Sequence, residues 1–388
     1  MKKNNKIYIS INGIGYGHAS RILPLIKELR KENIKIFVST YNEGYLFLSN
    51  YYTNIFKTYG LNYIFDEDGK LSFKKTLSKG IWRFFVIFHL HIALELRNLI
   101  TLKPNLVISD SRFSTLLAGY VLGIKRYVII NQLYVEIPRV RPMNSIMRFL
   151  KFFAERIFFE LWFWVCKKGD LILIPDFKPP FTIASDTLMV KKLEDLNKII
   201  FIGPLIRTPD HAPSKYNKSQ ICVMPSGTLE ERLLIIKRFI DIIKKVDIQD
   251  IEIKLFTGLK NFKYKKYKNL EIFPWLEEDG IEKFLFSSKI VVLTGGHSSI
   301  MKSIKIGKPI LFIVPKAHTE KQKNATRLCK YGCAEMLNTD ELNYDNFQKY
   351  IHKILYNYDY YSKNIKEFNK STIYLDGLDY LVNIIKNG

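Results

Sequence analysis

The sequence predicts an α/β protein built from two doubly wound, parallel-sheet domains that face each other across a cleft. Three observations carry that expectation. Short, near-continuous apolar runs alternate with segments of helical period, the pattern of strands covered on both faces. A stretch with three prolines, Gly203 to Ser214, interrupts this alternation near its middle, after which it restarts. Glycine clusters follow an apolar run and precede a helix in each half, at Gly13–Gly17 and Gly295–Gly296.

The elements follow in order. Ile7–Ile11 is the first strand, and Arg21 to Arg30 continues at helical spacing. Ile34–Val38, Asn105–Asp110, Tyr127–Gln132, Leu171–Pro175 and Ile199–Gly203 are the further strands of a first domain, residues 1–203. Residues 204–219 are read as a linker. Beyond it, Ile221–Met224 leads into the turn Pro225–Thr228 and a helix from about Leu229. Ile251–Phe256, Leu270–Phe273, Ile290–Thr294 and Pro309–Val314 complete a second domain, residues 220–388, whose last helix is expected to cross back to the first. Both domains read as Rossmann-like, with ligands expected outside the carboxyl ends of the strands.

Composition sets the outer bounds. A chain of 388 residues with 47% hydrophobic content can bury sizeable cores, and its length favours two domains. Sixty Lys and Arg against 37 Asp and Glu give a net charge of +23. Such a field attracts nucleic acid, anionic lipid or phosphorylated substrates, although lysine-rich usage accounts for part of it. Cys166, Cys222, Cys329 and Cys333 show no zinc-type spacing, which favours a reduced, cytoplasmic compartment. Met1–Asn5 runs straight into the first strand without the apolar region of a signal peptide. No uncharged apolar stretch of about 20 residues is present, so no membrane span is expected.

Two aromatic segments exceed what a plain doubly wound domain needs. Ile81–Ile100 is apolar around Arg83, His89, His91, Glu95 and Arg97. Ser145–Cys166 carries Phe149, Phe152, Phe153, Phe158, Phe159, Trp162, Phe163 and Trp164 among Arg148, Lys151 and Arg156. One reading packs both as helices on the first sheet. The other lays them in a membrane interface, with Phe158, Phe159, Trp162 and Trp164 as lipid contacts. Arg139, Arg141, Lys167 and Lys168 would then add attraction to anionic lipid.

The glycine clusters carry the chemistry. Gly13-x-Gly15-x-Gly17 is not the dinucleotide fingerprint, whose last glycine falls one residue later, and Val38-Ser39-Thr40 lacks the acidic residue that grips a ribose. No Lys-Ser/Thr pair follows, so it is not a P-loop either. The histidine at its lip, His18, is the candidate general base, and Asp110, closing a strand of the same sheet, could orient it. Gly295, Gly296, His297, Ser298 and Ser299 set backbone N–H groups and two hydroxyls at a helix start, a cradle for a diphosphate. Arg21 could add charge there. Ser226 and Gly227, in the turn after an earlier strand, join this donor side. Glu320, Gln322 and Asn324 follow the next strand, where they could orient a sugar or ribose.

These motifs resemble the two-Rossmann-domain (GT-B) glycosyltransferases. The likeness is strongest to the family-28 branch, which holds the peptidoglycan N-acetylglucosaminyltransferase and the diacylglycerol glucosyltransferases. It is carried by Gly15-Tyr16-Gly17-His18 with Arg21, Pro104–Asp110, Gly295–Ser299, Gly307–Leu311 and Asn324-Ala325, and it spans nearly the whole chain. The resemblance implies acceptor binding by the first domain, nucleotide–sugar binding mainly by the second, and no metal or other cofactor. His18 and Asp110 resemble the His–Asp dyad of the small-molecule glycosyltransferases of this fold. Two positions depart from the pattern. Lys302 stands where relatives carry a ribose-gripping glutamate, and Gln322 lies two rather than three residues before the Asn-Ala pair.

The expected function is an inverting glycosyltransferase, cytoplasmic or peripheral on the cytoplasmic membrane face. It would use a nucleotide-diphosphate sugar, with UDP the expected nucleotide, and a lipid-linked or membrane-proximal acceptor. A sugar-nucleotide 2-epimerase is the enzymatic alternative, for which only Asp110 and Glu320 are available as cleft carboxylates. A nucleotide–sugar-binding protein without turnover and a nucleic-acid-binding protein are the others. Asp66-Glu67-Asp68 reads as an acidic turn, and Lys260–Lys268 as a solvated loop or helix face. Trp275 is placed either in the core or beside the nucleobase.

Overall fold

The computed structural model describes residues 5–60, 73–139, 143–193, 196–207, 220–243, 251–372 and 376–387, with backbone alone for 73–84 and Asp279. It divides into two compact units, residues 1–206 with 374–388, and residues 207–373. Most of the expected linker, residues 208–219, lies outside the described residues, as do Asp66–Asp68 and Arg141.

The first unit opens with β1 (Lys6–Ile11), α1 (Gly17–Lys31), β2 (Lys35–Thr40), α2 (Asn42–Leu48) and β3 (Ile55–Lys57). It continues through α3 (Phe73–Leu102), β4 (Leu106–Asp110), α4 (Phe113–Val121), β5 (Lys125–Ile129) and α5 (Ser145–Cys166). Then come β6 (Leu171–Ile174), α6 (Ser185–Leu188), α7 (Val190–Leu193) and β7 (Ile199–Phe201). All seven strands are parallel, in the order β3-β2-β1-β4-β5-β6-β7, with β1 at the reversal point. That order is the doubly wound topology, whose switch point lies between β1 and β4. Register pairs Ile11 with Asp110, so both strands end side by side.

The second unit has β8 (Gln220–Met224), α8 (Leu229–Ile243), β9 (Glu252–Phe256), β10 (Lys265–Tyr267) and β11 (Leu270–Phe273). It goes on with α9 (Glu278–Ser287), β12 (Ile290–Leu293), α10 (His297–Ile306), β13 (Ile310–Val314), α11 (Thr319–Lys330) and β14 (Ala334–Asn338). Helices α12 (Tyr344–Tyr356) and α13 (Tyr358–Thr372) close it, and α14 (Gly377–Asn387) belongs to the first unit. The strand order is β10-β11-β9-β8-β12-β13-β14, parallel except for the hairpin edge strand β10. Lys265–Tyr267 is therefore strand rather than solvated loop or helix. Its two adjacent lysines, Lys265 and Lys266, are both exposed on this edge, which discourages pairing with another chain.

Burial explains the strands. Tyr8, Ile9, Ile11, Val107, Ile108 and Ile129 are all within 2% of full burial, as are Val223, Leu255, Val292 and Leu311 in the second sheet. Helix α14 touches α1, and Lys386 pairs with Glu32 at 2.8 Å. It starts at Gly377, where a Cβ would press into the carbonyl oxygens of Ile202, Gly203 and Pro204.

Helices α3, α4 and α5 form one contiguous layer in the first unit. The stretch Phe85–Leu102 of α3 is long and apolar enough to cross a membrane by composition. Two of its polar residues, His91 and Glu95, point into the protein, whereas His89, Arg97 and Thr101 are exposed. His91, Glu95 and Leu99 are buried, Glu95 beside Arg112 at 3.1 Å and Ser39 at 2.6 Å, whereas Phe85, Val86 and Leu90 are exposed. Helix α5 repeats this reversed polarity. Glu155 is buried and accepts from Tyr134 Oη, Ile137 N and Arg139, whereas Ile146, Phe149, Phe152, Phe153 and Leu161 face outward.

Candidate active site

In the first unit the site is built by the turn between β1 and α1. Gly15 has φ +66°, a conformation that favours glycine, and a Cβ on Gly13 would overlap the Tyr41 carbonyl. The Asn12 side chain accepts from Ile14 N at 3.1 Å and from Tyr41 Oη at 2.8 Å, fixing the turn. Helix α1 therefore begins at Gly17, which is exposed, and His18 sits in its first turn.

His18 Nδ1 lies 2.8 Å from Asp110 Oδ1. Facing that carboxylate, which only accepts, Nδ1 donates in the tautomer whose basic nitrogen is Nε2, while Arg21 Nη2, a donor 2.9 Å from the same Nδ1, competes with it and favours the opposite tautomer. Arg21 Nε donates to Asp110 Oδ2 at 2.7 Å, Nη2 pairs with Asp110 Oδ1, and Nη1 donates to Asn131 Oδ1 at 2.9 Å. Asp110 is fully buried. Burial alone would raise its pKa, but the charges and hydrogen bonds of Arg21 and His18 outweigh it and hold the carboxyl down to about 2. Asp110 is thus an anion at any working pH.

The expected donor-side role of Arg21 is corrected by this geometry. Its guanidinium is 6% exposed and committed to Asp110 and Asn131, leaving it behind His18 rather than open to a phosphate. The i, i+3 spacing of His18 and Arg21 on one helix face, over a strand ending in Asp110, carried the signal. Asn131 has no such pattern and emerges only from the fold.

In the second unit the turn from β12 to α10 does what its glycines allow. Gly295 has φ +86° and Gly296 is the N-cap of α10. Thr294 Oγ1 accepts from Ser226 N at 2.7 Å and lies 2.8 Å from Ser226 Oγ, tying the β8 and β12 turns together. A Cβ on Gly296 would meet Ser226 Oγ at 2.6 Å, and Gly227 takes φ +120° against Glu231 and Lys321. Ser226, Gly227, Gly295 and Gly296 are therefore one packed cluster. Ser298 is half-buried at the helix start, and Ser299 Oγ bonds the Gly296 carbonyl at 3.0 Å.

Other donor-side expectations need correcting. His297 is 5% exposed, part of the packing under α10 rather than an open ligand. Asn324 is fully buried, its amide nitrogen 3.5 Å from the Gly295 carbonyl, so it backs the glycine turn. Gln322 Nε2 is spent on Asn338 Oδ1 at 3.0 Å and the Pro315 carbonyl at 3.2 Å. Glu320 remains half-buried in the first turn of α11. Lys302 pairs with Glu278 of α9, so a carboxylate reaches that position from a different helix. The sequence reading missed Lys321 and Glu231, both drawn into the cluster. Their signal was only adjacency, to Glu320 and to the turn before α8.

The expected lipid contacts divide. Phe159 is 1% exposed in the core with Val128 and Ile172, and Trp162 stacks on Phe113 at 4.2 Å. Phe158 is half-buried beside Trp162. These three face the protein, since α5 must cover its sheet with one stripe. Trp164 alone of the four is exposed, at 49%, under Lys168.

Comparison with known proteins adds the following. Residues 230–375 match the family model described as the glycosyltransferase family 28 C-terminal domain, and residues 5–135 match one described as glycosyl transferase family 1. An uncharacterized glycosyltransferase of Methanosarcina acetivorans is 29% identical over 345 residues, covering 86% of this chain and 85% of that protein. One of Methanosarcina mazei is 26% identical, with 86% and 85% covered. Among solved structures, the calicheamicin glycosyltransferase CalG4 superposes with TM-score 0.66 at 13% identity, covering 100% of this chain and 98% of its own. The spinosyn rhamnosyltransferase SpnG complexed with thymidine diphosphate gives 0.62 at 10% identity, with 98% and 100% covered. At these identities the likeness to solved structures is one of fold.

Proposed function

For this family-28-like glycosyltransferase of the GT-B fold, we propose an inverting transfer from a nucleotide-diphosphate sugar to a hydroxyl of a membrane-proximal, lipid-linked acceptor. The observation that carries the reading is the 2.8 Å contact of His18 Nδ1 with the buried, ionised Asp110; in the tautomer that donates to this carboxylate, Nε2 is the base. Nε2 takes the acceptor proton while the acceptor oxygen bonds to the anomeric carbon. The bond from that carbon to the β-phosphate oxygen breaks, and its electron pair leaves with the nucleoside diphosphate. One displacement inverts the centre. Asp110 keeps its charge throughout and stabilises the imidazolium that forms.

The Ser226–Gly227 and Gly295–Ser299 turns are the proposed seat of the diphosphate, where the N-terminus of α10 offers N–H groups and hydroxyls. Thymidine diphosphate bound to SpnG supports a nucleotide of this class; UDP is the expected one here. The membrane half of the reading is supported by the reversed polarity of α3 and α5. Each buries one glutamate, Glu95 or Glu155, and turns phenylalanine, leucine and isoleucine outward, with Arg97 on α3 and the Arg156–Glu160 pair on α5 exposed beside them. Arg148, Lys167 and Lys168 border the α5 face, each worth about 1 kcal/mol near an anionic surface, whereas Lys151 donates to the Pro138 carbonyl at 2.7 Å and Arg156 pairs with Glu160 at 2.8 Å. Activity on the cytoplasmic face of a membrane is part of this proposal.

The test is a thermal-shift screen against UDP-, GDP- and dTDP-sugars, followed by transfer assays on His18→Ala. One donor should stabilise the protein by mass action. The variant should bind that donor within a few fold and lose transfer by about 10²-fold or more. Undiminished turnover in His18→Ala would refute the assignment.

A further inference from the structure

We propose that Lys321 is the cation that receives the diphosphate leaving group, and that Glu231 is its counterion while the site is empty. The proposal rests on the donor reading above and adds to it a residue that neither the motifs nor the comparisons single out. Lys321 is 5% exposed, and its ammonium lies over the Ser226–Gly227 turn, where a Cβ on Gly227 would come within 2.9 Å of Nζ. Its Cβ would be met at 2.8 Å by one on Gly295. The side chain thus runs between the two turns that form the diphosphate seat.

A buried ammonium has three donors to satisfy and is costly to leave short of partners. Lys321 Nζ has two acceptors, Glu231 Oε1 at 3.3 Å and the Ser226 carbonyl at 3.4 Å. Both exceed the 2.7–2.9 Å of a well-formed charge-assisted bond. Glu231 is itself divided, since its other oxygen accepts from Thr228 N at 3.0 Å and so caps the start of α8. The cation is held in place without being saturated. A phosphate oxygen arriving over the turn would complete it. As the bond to the anomeric carbon breaks, negative charge grows on that oxygen, and a desolvated, prepositioned cation responds most strongly to such a change.

The glycines gain a second reason from this arrangement. Gly227 and Gly295 adopt positive φ and also leave the volume that the lysine occupies. The internal ion pair further separates charge from shape, because Glu231→Gln preserves the acceptor for Thr228 N while removing the competing anion.

The experiment measures binding of UDP, GDP and dTDP, and of the matching monophosphates, by calorimetry on the full-length protein and its variants. Lys321→Gln should weaken the bound nucleoside diphosphate at least tenfold and its monophosphate less than threefold. Lys321→Arg should restore most of the difference. Turnover in Lys321→Gln should fall by more than the donor KM rises, the mark of a contact that strengthens in the transition state. Glu231→Gln should bind the diphosphate as tightly as wild type or more so. If wild type binds none of the three diphosphates, the donor reading falls and this assignment with it. If wild type binds one and Lys321→Gln matches it in affinity and turnover, the lysine assignment alone is overturned. A Glu231→Gln loss equal to that of Lys321→Gln would make the pair structural and overturn it too. Should Lys321→Gln fail to fold, the Lys321→Arg and Glu231→Gln proteins decide the question.

Discussion

Arg21 and Asp110 form a buried ion pair behind the His18 ring, with Arg21 Nε donating to Asp110 Oδ2 at 2.7 Å. One carboxylate therefore serves two cations, the permanent guanidinium and the imidazolium that forms when His18 accepts a proton. Arg21 secures the ionised state of Asp110 and, through Asn131, the angle from which that charge meets Nδ1.

Asp110→Asn should separate orientation from charge. The amide keeps its place under Arg21 but can present a donor to Nδ1 and favour the wrong tautomer, so turnover should drop by about 10²–10⁴-fold with donor affinity unchanged. Arg21→Met strands a buried carboxylate and should cost about 3–5 kcal/mol of stability. The Arg21→Met/Asp110→Asn pair should recover much of that loss in urea denaturation, giving a favourable coupling in the double-mutant cycle. Additive losses would show that the two side chains act independently.

Much of this site was readable beforehand because strand ends are marked by sequence. Apolar runs terminating at Asp110 and Thr294, each followed by a turn and a helix, located the polar residues that the sheet edges hold. Side-chain direction was not readable. Arg21, Gln322 and Asn324 sit in the right elements and turn inward, because each meets a buried acceptor or carbonyl that only the tertiary arrangement supplies. Period alone could not divide α5 either, since aromatic residues occupy both of its faces and Phe159 differs from Phe153 only by phase. The short strands β3, β10 and β14 carry no continuous apolar run and so leave no strand signal in the sequence. The lysines of β10 and the polar residues of β14 follow from edge positions, where one side of the strand meets solvent.

His91 gives a stability switch with a defined sign. It is buried beneath Tyr41, with Nε2 2.7 Å from the Tyr59 carbonyl, and burial together with the nearby Arg112 charge pushes its pKa from 6.5 down to about 4. The unfolded chain binds this proton first. Stability is therefore undiminished above pH 6.5 and falls as the pH drops towards 4, by about 3 kcal/mol at most. His91→Gln should flatten urea-derived stability across that window. Asp110 acts lower down, its contribution present above 3.8 and lost as the pH falls through about 2. A wild-type profile that is level between pH 7 and 4.5 would remove the His91 account.

The two faces of α5 should respond oppositely to substitution. Phe149 and Phe153 are 65% and 54% exposed and stack on each other at 6.2 Å, so replacing both by serine removes little from the folded core. If that face enters a lipid interface, each phenylalanine contributes through the apolar area it buries there, and the basic residues beside it contribute through surface potential. Phe149→Ser/Phe153→Ser should release the protein from phosphatidylglycerol vesicles in flotation while leaving its thermal midpoint within a few degrees. Phe159→Ala should do the reverse, costing about 3–5 kcal/mol from the core while the remaining folded protein still floats. Adding salt should weaken vesicle binding of wild type, and neutral phosphatidylcholine vesicles should bind it less. Equal flotation of wild type and the double serine variant would place the interface elsewhere, and transfer assays on water-soluble acceptors would then take precedence over lipid-linked ones.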